Sequence, residues 1–157
     1  MTNGARIGLG CDHTGVDLKN AIQDHLKARG FMTVDYGAYD PEAKTDYPLK
    51  GQEVAEALVN GDVEKAVLIC GTGIGISLSA NKVPGIRAAV CSEPYSAAMS
   101  VRHNDANIIA FGARVVGEEL AKMIVDAFLD AEFEGKENER HRRRVGLISE
   151  IERKYSK

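Results

Sequence analysis

The chain has 157 residues, 44% apolar and 27% charged, which is the composition of an ordinary globular domain with length for one good-sized core. A formal net charge of -3 argues against general nucleic-acid binding, no apolar run approaches the ~20 residues of a membrane span, and Met1 to Ala5 is too short and polar for a secretory signal. A cytoplasmic protein is expected, and Cys11, Cys70 and Cys91 fit reduced thiols better than a disulfide framework or a metal site.

In chain order, Ile7 to Cys11 reads as a short buried strand ending in Cys11-Asp12-His13, followed by a helix that carries Leu18, Ile22 and Leu26 inward and stops near Gly30. Thr33 to Tyr36 is the second strand. The polar connection from Ala38 to Leu49, with Asp40-Pro41 and Tyr47-Pro48, exceeds the usual ~2 to 6 residues and is expected to be a functional loop. Ala66 to Cys70 is the third strand, cut off by Gly71, Gly73 and Gly75, after which Ile74, Leu78 and Ala80 return to helical spacing. Ile86 to Cys91 and Asn107 to Phe111 complete the strands, and Leu120, Ile124 and Phe128 mark the last helix of the alternating set.

After Glu134 the sequence becomes GKENERHRRRVG, and Leu147, Ile148, Ile151 and Tyr155 form an apolar stripe at helical spacing. This tail, about residues 135–157, is expected to dock on a partner subunit. Arg140 and Arg144 stand at i and i+4, where they could clamp one anion, although a charge run is usually a solvated face. His25 and His141 read as surface residues.

Regular alternation of strand and helix predicts a single domain over 1–157, a three-layer α/β/α fold with a five-stranded parallel, Rossmann-like sheet. Ligands of such sheets bind beyond the carboxyl ends of the strands, which gathers Asp12, His13, Cys70, Gly71, Thr72 and Arg114 at one rim. His103-Asn104-Asp105 precedes the fifth strand, so it falls at the opposite rim and would more easily serve a neighbouring subunit.

The stretch LICGTGIGISLSAN, Leu68 to Asn81, places a thiol beside a glycine-rich turn that opens a helix. Outward-pointing amides with a helix dipole behind them suit a phosphate, a carboxylate or a developing oxyanion, and they stabilise negative charge on a nearby sulfur. The pattern is neither a P-loop nor a dinucleotide fingerprint. Each candidate also has a plainer reading: Cys70 as a small buried hydrophobe, Asp12 as a helix cap with His13 solvated beside it, and His103-Asn104 as a helix stop with Asn104 left-handed.

Taken together, GCDHTG at 10–15, TDYP at 45–48, CGTGIGISLSANK at 70–82, GIRAAVCSEPYSA at 85–97, HNDANIIAFGARVVG at 103–117 and RHRRRV at 140–145 resemble the type B ribose 5-phosphate isomerases. Their superfamily also holds galactose 6-phosphate and allose 6-phosphate isomerases. The resemblance implies a flavodoxin-like three-layer domain without metal or nucleotide cofactor, forming dimers or tetramers with shared active sites. It implies that Cys70 moves a proton between C2 and C1 of an open-chain aldose phosphate, giving a ketose phosphate through an enediolate. Some relatives use a glutamate instead, and Cys70 sorts this chain into the thiol branch.

By the same resemblance, Thr72 and the amides from Gly71 through Gly73 to Gly75 would hold the enediolate oxygens, and His103, from across a dimer, would protonate the ring oxygen with Asp12 or Asp46 as its partner. His13, Arg114, Arg140 and Arg144 would bind phosphate, and Tyr47 and Asn104 sugar hydroxyls. A hexose 6-phosphate isomerase and a non-catalytic phosphosugar-binding module are the alternatives. A thiol redox protein lacks CxxC or an evident resolving cysteine.

Overall fold

The computed structural model describes Met1 and residues 4–156. Five strands, β1 (Arg6–Cys11), β2 (Met32–Asp35), β3 (Lys65–Cys70), β4 (Ala88–Val90) and β5 (Ile108–Gly112), form one parallel sheet in the order β2-β1-β3-β5-β4. The last two strands are exchanged relative to the flavodoxin order 2-1-3-4-5. The chain steps from β1 to β2 on one side and then crosses back to β3 on the other, so the carboxyl ends of β1 and β3 border the crevice where such sheets take ligands.

Alternation along the strands sorts the core into two layers. Ile7, Leu9, Cys11, Val67, Ile69, Ile109 and Phe111 pack with helices α1 (Val16–Ala28), α4 (Pro94–Asn104) and α5 (Glu118–Asp130). Ala66, Leu68, Cys70, Ile108 and Ala110 pack on the other side with α2 (Tyr47–Val59) and α3 (Ile74–Ala80). Ile22 and Leu26 of α1, and Ile124 and Phe128 of α5, are fully buried as their spacing predicts.

Several expectations need correction. The fourth strand shrinks from Ile86–Cys91 to Ala88–Val90, because β4 is an edge strand paired on one side only. The polar connection ends earlier than Leu49: α2 begins at Tyr47, with Pro48 in its first turn, where a missing N–H costs nothing. In α3 the buried face is Ile76, Ser77 and Ala80, whereas Ile74 and Leu78 are 54% and 60% exposed. The left-handed stop of α4 is Asp105 at φ 53, not Asn104.

Helix α6 (Glu139–Tyr155) follows a 3-10 turn at Glu134–Lys136 and lies along the β4 edge of its own subunit, where Glu152 accepts from the Gly85 amide at 3.1 Å. Leu147, Ile148, Ile151 and Tyr155 remain exposed along it. The one residue that α6 buries is His141, contrary to the surface position expected of it. His25 is also not free: it shares Asp126 with Arg29 across α1 and α5.

Candidate active site

The end of β3 fixes the centre of the site. Cys70 is buried, and the Gly73 amide donates to its Sγ at 3.1 Å, closing a turn in which the Thr72 hydroxyl accepts from the Ile74 amide at 3.2 Å. Gly73 has φ 80, and a Cβ there would stand 2.7 Å from the Phe111 backbone, so only glycine fits between β3 and β5. Gly75 makes room of another kind. A side chain there would meet the Tyr47 ring at 2.6 Å.

Two of the amides expected to cradle oxyanions are thereby committed, Gly73 to sulfur and Ile74 to the Thr72 hydroxyl. The anion cradle is narrower than the glycine spacing alone suggests, and its first function is to hold the sulfur. The positive end of the Gly73 N–H dipole points at the atom that would carry charge.

Around this turn a cleft of about 540 Å³ opens, lined by Asp12, His13, Thr14, Tyr47, Cys70, Gly71, Thr72, Ile74, Gly75, Leu78 and Arg114. The exposed Ile74 and Leu78 form part of its wall. Asp12 is buried and caps the 3-10 turn His13–Gly15: its Oδ1 accepts from the Thr14 amide at 2.9 Å and the Thr14 hydroxyl at 2.6 Å. The plainer reading of Asp12 therefore holds together with its place in the cleft. Thr14, unremarked in the sequence, orients that carboxylate.

His13 is half-buried, and its Nδ1 accepts from the Thr45 amide at 3.3 Å, which ties the long connection to the cleft and directs Nε2 as the donor. That connection is itself anchored, for Asp35 binds the buried Lys19 and accepts from the Gly37 amide at 2.8 Å. Arg114 is exposed, with its amide donating to the Gly71 carbonyl at 3.1 Å. Asp46 stands at the N-cap of α2 without a side-chain cap bond and is not part of the cleft wall.

The other two thiols lie away from the cleft. Burial pushes Cys11 up to about 12, against the opposing pull of Lys19, and its Sγ donates to the Ala38 carbonyl. Burial, with the Glu93 carboxylate adding, pushes Cys91 up to about 11. Neither lines the cleft.

His103, Asn104, Arg140 and Arg144 do not enter the cleft of their own chain. They group at the other rim, around the last turn of α4 and the first turns of α6. There His103 stacks on His141, ring centroids 4.4 Å apart and planes 9° from parallel, and Glu134 lies 3.8 Å from His141 Nε2. The donor atoms of His103, Glu134 and His141 all fall within 4.8 Å of one another. A metal ion cannot lie in the plane of two stacked imidazoles at once, so the arrangement is a stack and not a chelate. His141 and Glu134 escaped sequence reading because His141 is embedded in a run of arginines; being the one uncharged member of RHRRR was its only signal.

No helix among the described residues is long and apolar enough to cross a membrane. Comparison with known proteins agrees with the geometry. A family model described as Ribose/Galactose Isomerase matches residues 7–148. The chain is 54% identical over 149 residues to the ribose-5-phosphate isomerase B of Escherichia coli (strain K12), covering 95% of this chain and 97% of that one. It is 48% identical over 130 residues to the D-erythrulose-4-phosphate isomerase of Pectobacterium atrosepticum, covering 82% and 85%. Among solved structures, Clostridium thermocellum ribose-5-phosphate isomerase B superposes with a TM-score of 0.92 at 55% identity, over 96% of this chain and 99% of that one. With a cysteine-bearing glycine turn, a polar strand-end cleft and sequence identity along nearly its whole length, the chain belongs to the ribose/galactose isomerase family.

Proposed function

We propose that the chain interconverts D-ribose 5-phosphate and D-ribulose 5-phosphate through an enediolate, with Cys70 as the base. The observation that carries this reading is the setting of Cys70, the one cysteine that opens on the cleft and the one whose sulfur receives a backbone N–H. A proton alpha to a carbonyl is weakly acidic, so a base gains most where fixed dipoles stabilise the oxyanion as it forms.

In the forward direction Cys70 takes the C2 proton, the C–H pair becomes the C1–C2 double bond, and the carbonyl oxygen becomes the enediolate oxygen near Thr72 and Gly71. The C2 hydroxyl passes its proton to the oxygen on C1, and as the C2–O bond becomes the carbonyl the electron pair of the C1–C2 double bond takes the carbon proton back at C1, giving the ketose. His13 and Arg114 hold the phosphate, and Tyr47 a sugar hydroxyl. Asp12, which lines the cleft, suits a hydroxyl-side role in ring opening better than Asp46, which does not.

The acid for the ring oxygen is His103 of the partner subunit, and Arg140, Arg144 and Asn104 come with it. The pairing is a homodimer, or a tetramer of such pairs, and the exposed stripe from Leu147 to Tyr155 with Ile74 and Leu78 is apolar surface suited to such contacts. A second reading rests on the relative at 48% identity named for a four-carbon phosphate, beside the six-carbon alternatives. Turnover of D-ribose 5-phosphate, D-erythrose 4-phosphate, D-allose 6-phosphate and D-galactose 6-phosphate, measured side by side, tests the choice. Highest kcat/KM on the pentose is expected, and a higher value on any other would replace it.

A further inference from the structure

His103 is supported by more than its own helix. Its ring lies flat on His141, which is 5% exposed and the only residue α6 buries. Glu134 stands 3.8 Å from His141 Nε2 with its Oε2, while its Oε1 accepts from Arg102 Nε at 2.6 Å, so α4 holds the carboxylate that faces the histidine of α6. Arg142 adds a bond to the Gly135 carbonyl at 3.1 Å, fastening α6 to the 3-10 turn. The end of α4, the turn and the start of α6 thus form one block around the stack.

We propose that His141 is a positioning residue for His103: its buried ring sets the plane and aim of the His103 imidazole that serves the neighbouring cleft. The inference rests on His103 opening the sugar ring as proposed above. An imidazole on an exposed helix end rotates broadly about its last torsion, and a flat partner removes that freedom. Proton transfer to a ring oxygen requires heavy atoms about 2.6 to 3.2 Å apart, so aim matters as much as reach.

The charges around the stack agree with that division of labour. Burial lowers the His141 pKa from its ordinary value, and His103, Arg140 and Arg144 lower it further against the opposing pull of Glu134. Arg102, facing from α4, is occupied by Glu134. A His141 pushed toward its neutral form places less like charge on the face of His103.

Two reactions of one enzyme separate positioning from general damage. Ribose 5-phosphate exists mainly as a ring and needs opening. Ribulose 5-phosphate has its 5-hydroxyl blocked by phosphate and cannot close a furanose on C2, so exchange of its C1 proton for solvent deuterium needs only the Cys70 turn. His141→Ala should slow conversion of ribose 5-phosphate about tenfold or more while changing C1 exchange less than about threefold, since a misplaced group loses only the step it serves. His141→Phe, which restores a flat face, should recover most of the loss, and His103→Ala is the benchmark for losing the acid.

Conversion by His141→Ala within about twofold of wild type, or exchange slowed as much as conversion, would overturn the positioning role. So would a failure of His141→Phe to improve on alanine. If His103→Ala itself spares ribose 5-phosphate conversion, the ring-opening reading falls; if His103→Ala is selective and His141→Ala is not, only the positioning role falls.

Discussion

The two rims of this sheet are built by different means. At the carboxyl end of β3 the Cys70 sulfur is held by backbone: a glycine amide donates to it, and Gly73 is wedged against Phe111 with no space for a side chain. At the other rim His103, Arg140 and Arg144 sit on helix ends, and His103 is held by a side-chain stack on His141. The first region cannot move without disturbing the sheet. The second is held through side chains, and it faces away from the cleft that its residues are proposed to serve. On the proposed mechanism, the proton-moving centre is built within one subunit and the basic block is lent by its partner.

The sharpest test of that contrast is Cys70→Ala, which should reduce isomerisation by about 10³-fold or more while sugar-phosphate binding, measured by calorimetry, persists. Mixing Cys70→Ala chains with His103→Ala chains and allowing subunit exchange should restore part of the activity, because some mixed sites regain both groups. No recovery on exchange would mean that the two rims do not meet between subunits. Next in size, Gly73→Ala should cost more than about 1 kcal/mol in urea unfolding, because it combines a left-handed φ with backbone contact, and should lower kcat as well.

Arg140→Ala and Arg144→Ala should raise KM by about tenfold each with kcat nearly unchanged, and the difference from wild type should shrink at high salt. The smallest effect concerns the thiols that do not react. Iodoacetamide at pH 8 should leave Cys11 and Cys91 unmodified in the folded protein, since burial holds their pKa at about 12 and about 11. Both values lie above the 9.0 of an ordinary cysteine, so the folded state retains protons that the unfolded chain releases. Their contribution to stability is complete below pH 9 and fades between about 9 and 12, which pH-dependent thermal melting can follow.

Much of the first rim is legible from residue order. Short apolar runs closed by glycine or by an acid-histidine pair mark β1 and β3, and the rule for parallel sheets brings Asp12, His13, Cys70 and Arg114 to one cleft. The signals that misled are those that depend on what a helix face meets. Ile74 and Leu78 read as core by spacing, yet α3 turns them toward the cleft and buries Ser77 instead. His141 reads as solvent-facing among its arginines, yet its phase on α6 presses it against α4 and Glu134. Lys19 gave no signal at all, because a buried lysine is readable only once Asp35 is known to lie across from it.

The wedging of Gly73 against Phe111 also bears on how such an enzyme can diversify. At Gly73 itself selection has almost nothing to tune, since a side chain there meets the Phe111 backbone before it can alter the chemistry. Side-chain variation has more room on the wall of the cleft, at the exposed Tyr47, Ile74 and Leu78 and along the connection that reaches His13 through Thr45. Relatives named for sugar phosphates of different length would on that footing keep the same turn and differ along this wall.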